Sequence, residues 1–63
     1  MNFKMGLAAT YNKTGRTYLE MKEIKKALHY FEKSHDIAKA IGIKPLVAFT
    51  AKNIGKTHGR AGR

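Results

Sequence analysis

LAATYNKTGRTY, residues 7–18, returns forty positions later as VAFTAKNIGKTH, residues 47–58, in a chain of only 63. Ala8 reappears as Ala48, Thr10 as Thr50, Gly15 as Gly55 and Thr17 as Thr57, while Leu7/Val47 and Arg16/Lys56 are conservative pairs. Self-similarity at a fixed period of this size marks stacked repeats, in which each unit buries its apolar face against a neighbour. It points to a binding scaffold.

Within the first copy Leu7, Tyr11, Gly15 and Tyr18 recur at four- and three-residue steps, the spacing of one helical face. A helix over about residues 4–21 follows, with these four as its core face. Glycine costs about 1 kcal/mol relative to alanine in a helix interior. Its appearance at the same place in both copies therefore indicates a close helix crossing. A second helix, about 23–41, is written in Ala27, Phe31, Ser34, Ala38 and Ile41, with Ile24, Leu28 and Ile37 beside them. Small residues alternate there with one large aromatic, a pattern that brings helices close together. Gly42 suits the left-handed position after this helix, and Pro45 suits the first turn of the next. The third helix, about 45–59, then carries Val47, Ala51, Ile54 and His58 on one face, and residues 60–63 form a basic, frayed tail. Nothing alternates with period two. The expected fold is all-α, an antiparallel hairpin plus one further helix, in a single module spanning residues 1–63.

Composition narrows the function classes. The chain has no cysteine, which removes disulfides and cysteine-based zinc sites, and fits a reducing compartment. No apolar stretch reaches the roughly 18–20 residues of a membrane span, and the opening MNFKMGLAA is too short in its apolar part for a secretory signal. The expected location is cytoplasmic, away from membranes. Thirteen Lys and Arg face four acids, a formal charge of +9, and from Lys44 onward there is no acid at all. Such a field attracts acidic peptides or nucleic acid without choosing between them. Catalysis has no foothold: Ser34 and His35 are merely adjacent, no carboxylates are paired, and the Gly59–Arg63 run lacks the lysine–serine ending of a phosphate loop. His29, His35 and His58 lack metal-ligand spacing. No enzyme activity, cofactor or metal is expected.

The residues Tyr11, Thr14, Gly15, Tyr18, Ala27, Phe31 and Ser34 fill the places of a known signature, and the chain resembles the tetratricopeptide repeat family. The stretch ALHYFEKS, Ala27–Ser34, is similar to that family's second-helix core, and Asn53-Ile54-Gly55 with Ala61-Gly62 resembles the start of another unit. The departures are Lys22 at the usual turn glycine, Ala51 at the first aromatic, His58 at the tyrosine, and a period of forty instead of 34. The long period resembles a subgroup that includes bacterial peptide-pheromone receptors and cell-polarity adaptors. The resemblance implies right-handed superhelical stacking of one and a half repeats, used as a protein- or peptide-binding module.

It also implies a groove lined by the first helices of successive repeats. Carried over by position, Asn12, Arg16 and Leu19 would face it from the first copy, and Phe49, Lys52, Asn53 and Lys56 from the second. Arg16 and Lys56 would meet peptide carboxylates, and Asn12 and Asn53 peptide backbone. The expected partner is an acidic or amphipathic segment. Half a repeat would also leave Val47, Ala51 and Ile54 as an apolar edge, which implies self-association into a homo-oligomer. The alternative is a small basic nucleic-acid binder acting through charge, non-specifically and with steep salt dependence. Tyr11, Tyr18 and Phe31 would be core residues and not stacking platforms for bases.

Overall fold

The computed structural model describes residues 3–61. They form three helices of 18 residues each: α1 (Phe3–Glu20), α2 (Ile24–Ile41) and α3 (Lys44–Ala61). The third runs past the expected end at Gly59. Glycine weakens a helix but does not stop one, and the basic His58 and Arg60 in the last turn complement the helix dipole. Residues 62–63 of the expected tail lie outside the described residues.

Both connections turn through the same device. After α2, Gly42 adopts φ 71°, its N–H reaching Lys39 O at 3.2 Å while Ile43 N–H bonds to Ala38 O at 3.3 Å. After α1, Lys22 takes φ 64°, with Lys22 N–H on Leu19 O at 3.0 Å and Glu23 N–H on Tyr18 O at 2.9 Å. These paired bonds satisfy carbonyls that a helix end leaves open. Lysine performs at position 22 what glycine performs at 42, in a backbone region that costs an L-residue about 1–2 kcal/mol.

The short turns make neighbouring helices antiparallel, so α1 and α3 run the same way. α2 packs against both α1 and α3, while α1 and α3 touch each other only lightly. Along α2, Ala27, Phe31, Ser34 and Ala38 are all fully buried. Phe31 sits over Gly15, and Ser34 Oγ donates to Ala8 O at 2.7 Å. Replacing a side chain as buried as Phe31 by alanine typically costs about 3–5 kcal/mol, a large share of the stability available to so short a chain.

Beside this seam all three tyrosines stack. Tyr30 lies 5.5 Å from Tyr18, nearly parallel at 9°, and 5.9 Å from Tyr11. Lys26 and Lys33 cover the outer rings at 5.6 and 5.9 Å. Each aromatic pair adds roughly 0.5–1.5 kcal/mol beyond its buried area.

The two sequence copies occupy opposite environments. Ala8, Asn12 and Gly15 of α1 are buried, whereas Ala48, Lys52 and Gly55 of α3 are exposed. Conversely, Thr50 and Thr57 are fully buried, whereas Thr10 and Thr17 are exposed. The reason is that α2 is the only hairpin partner: it covers one face of α1 and the other face of α3.

This explains two corrections. Leu7, expected in the core, is 36% exposed. The packing centre of α1 is rotated onto its small residues, where a neighbouring helix can come closest, and Leu7 is carried to the side. The second concerns the face read on α3 from Val47, Ala51, Ile54 and His58: the packed face centres on Thr50 and Thr57, and Ala51 and His58 are exposed. The other expected core residues divide by depth. Gly15, Ala27, Phe31 and Ala38 are buried, and Tyr11, Tyr18, Ile24, Leu28 and Ile41 are half-buried.

Candidate functional site

Because α1 and α3 run in the same direction, their side chains form two parallel rows. The rows meet where Asn53 Nδ2 donates to Asn12 Oδ1 at 2.8 Å. Asn12 is only 9% exposed, so this carbonyl bond lies at the floor between the helices, and Asn53 is half-buried. The position carry-over gave both asparagines to a bound peptide's backbone. The structure instead turns this bond inward, tying α1 to α3.

One turn further along α1, Arg16 is exposed, and Leu19 beyond it is half-buried. On α3, Phe49, Lys52 and Lys56 stand at helical spacing around Asn53. All three are exposed, Phe49 by 46%. Among the described residues the single ion pair is Lys26 with Glu23, 3.3 Å apart and exposed. Among the described residues Arg16, Lys52 and Lys56 thus have no ion-pair partner. The rows thus combine three uncommitted cations, an exposed phenyl ring and a polar floor. Chemically this favours carboxylates flanking an apolar side chain.

The proposed self-association edge is less apolar than its sequence suggests. Val47 and Ile54 are half-buried beside the Thr50–Thr57 face, and Ala51 alone of the three is exposed. The α2–α3 seam contains a polar link that sequence spacing gave no sign of. His35 Nδ1 lies 2.7 Å from Thr50 Oγ1, which also lies 3.0 Å from the carbonyls of Leu46 and Val47. With the threonine hydrogen directed to its own helix, the imidazole N–H donates to the oxygen. The recurrence of Thr10 as Thr50 and Thr17 as Thr57 was the available signal, since threonine can return its hydroxyl to the helix carbonyl one turn back and then be buried at little cost. Thr57 Oγ1 does so to Asn53 O at 2.8 Å. His29 meets Tyr30 edge-on at 5.3 Å and takes no part in either seam.

No described helix is long and apolar enough to cross a membrane. In comparisons with known proteins, the tetratricopeptide repeat family model matches residues 6–63, nearly the whole chain. No curated protein and no solved structure gives a significant match.

Proposed function

From the premise that the chain belongs to the tetratricopeptide repeat family, whose members serve as protein–protein interaction modules, we propose that it binds an acidic peptide along the rows of α1 and α3. The observation that carries this reading is the set of unpaired cations Arg16, Lys52 and Lys56 around the exposed ring of Phe49. Arg16 and Lys56, equivalent in the repeat, engage carboxylates from the two sides, and Phe49 and Leu19 contact an apolar side chain between them. The Asn12–Asn53 bond fixes the spacing of the rows.

The charge also bears on self-association. Two copies meeting through α3 would each bring Lys44, Lys52, Lys56 and Arg60 and no acid to the contact. The favoured partner is therefore a different, acidic chain.

The test is fluorescence anisotropy with an eight-residue Asp/Glu-rich peptide carrying one central leucine, too short to hold a helix in water. The double reversal Arg16→Glu/Lys56→Glu is expected to weaken binding at least tenfold, about 1.4 kcal/mol. Phe49→Ala should weaken it several-fold with little change in salt dependence. Equal affinity for wild type and the double reversal would overturn the reading, as would stronger, salt-resistant, sequence-selective binding to duplex DNA.

A further inference from the structure

The Asn12–Asn53 bond aligns the two rows of the groove and thereby sets the heights of their side chains. The rows run the same way, and a helix rises about 1.5 Å per residue. Phe49, four residues before Asn53, stands about 6 Å from the bond toward the helix N-termini. Arg16, four after Asn12, and Lys56, three after Asn53, stand about 6 and about 4.5 Å the other way. Arg60 comes seven after Asn53, two turns on along the same side of α3 and about 10.5 Å beyond the bond. It is exposed and, among the described residues, has no ion-pair partner. Glu20, eight after Asn12, is exposed at nearly the same height and is the only acid of α1 and α3.

We infer that Arg60 is a further specificity contact of this groove, and that the groove selects acids by their distance along the bound chain from its apolar residue. The inference rests on the acidic-peptide reading of the groove. An extended chain advances about 6.8 Å for every two residues, the interval between side chains on one of its sides. With its apolar side chain on Phe49, such a chain passes its next same-side residue over the asparagine floor. The residue four positions from the first then arrives between Arg16 and Lys56, and the residue six positions from it reaches Arg60. The remaining offsets of about 2–4 Å fall within the reach of the long lysine and arginine stems. Glu20 repels an acid at the last height and Arg60 attracts it, so Arg60 decides whether a second acid is accepted there. A helical occupant would need about seven or eight residues to cover the interval from Phe49 to Arg16 and Lys56.

The probes are labelled twelve-residue serine peptides, blocked at both ends, each with one leucine and two glutamates and made in both chain directions. In the tighter direction, glutamates four and six positions from the leucine should bind at least fivefold tighter than glutamates seven and eleven positions from it. Arg60→Gln, an exposed change that should leave helicity intact by circular dichroism, should weaken the four-and-six peptide at least threefold. It should alter a peptide with the four-position glutamate alone less than twofold. Lys44→Gln, the same charge change at the far end of α3, should alter both less than twofold. Equal binding of the two spacings overturns the inference, as do equal losses from Arg60→Gln and Lys44→Gln. In either case weakening by Arg16→Glu/Lys56→Glu would still uphold the groove itself. Tighter binding of the seven-and-eleven spacing also overturns the inference, because the occupant would then be helical. Binding by none of the peptides overturns both the inference and the reading beneath it.

Discussion

Gly15 and Gly55 hold equivalent places in the repeat yet should answer the same substitution with opposite signs. In an open helical position, Gly→Ala removes unfolded-chain entropy and gains about 1 kcal/mol. Gly55 is such a position, with no atom within 4 Å of an added Cβ. At Gly15 the added carbon falls 2.7 Å from Phe31 Cδ1, whereas carbon atoms pack comfortably at roughly 3.5–4.0 Å. The ring must retreat by nearly an ångström, but Phe31 is fully buried. The helices cannot simply slide to relieve it, because Ala27 O stands 3.2 Å from the same carbon. Overpacking of this kind costs about 1–3 kcal/mol, and the upper half of that range applies when backbone must also yield. Gly15→Ala should thus lose about 1–2 kcal/mol net and Gly55→Ala gain about 1, a separation of roughly 2–3 kcal/mol. Urea unfolding followed at 222 nm reads the difference. With a slope of about 1 kcal/mol per molar, the midpoints should separate by about 2 M or more. Making Gly15→Ala in the Gly55→Ala background keeps the less stable variant measurable. If Gly15→Ala stabilises the chain as Gly55→Ala does, the close seating of Phe31 on α1 is wrong.

Two further substitutions test the fold. Lys22→Gly removes a left-handed strain of about 1–2 kcal/mol at a cost in chain entropy of about 0.4–1, so it should stabilise by about 0.5–1 kcal/mol and raise the melting temperature by roughly 2–8 °C; Lys22→Ala should show no such gain. Asn53→Ala leaves the buried Asn12 carbonyl without its donor and should cost about 1–3 kcal/mol, whereas the double change Asn12→Leu/Asn53→Leu should cost less than Asn53→Ala alone by the same denaturation measurement.

Much of the fold was legible because its determinants are periodic. Ala27, Phe31, Ser34 and Ala38 write the buried face of α2 directly into the chain, and Gly42 with Pro45 writes the second turn. The faces of α1 and α3 were harder to read because identical residues do different work. Ala8 and Ala48, or Thr10 and Thr50, cannot be told apart by type, and their burial depends on which side α2 approaches. Leu7 misled because hydrophobicity marks what gains from burial, while close crossings centre on the smallest side chains. Of the candidate groove residues, Arg16, Phe49, Lys52 and Lys56 are exposed as a binding row requires. The inward use of Asn12 and Asn53 was hidden by register, since the bonded residues are not equivalent positions of the repeat. Lys22 concealed the first turn, which the backbone makes as a glycine would.

The tyrosine stack gives the molecule its own spectroscopic label. The chain has no tryptophan, and its three tyrosines are Tyr11, Tyr18 and Tyr30, all of them in that one stack between α1 and α2. Rings held nearly parallel in an asymmetric setting produce near-ultraviolet dichroism that disappears when they separate. That band reports the docking of α1 on α2 alone, while α3 contributes to the far-ultraviolet helix signal but not to it. Comparing the two bands during unfolding distinguishes a three-helix unit that melts as one from a hairpin that outlives the release of α3, with no dye or added residue.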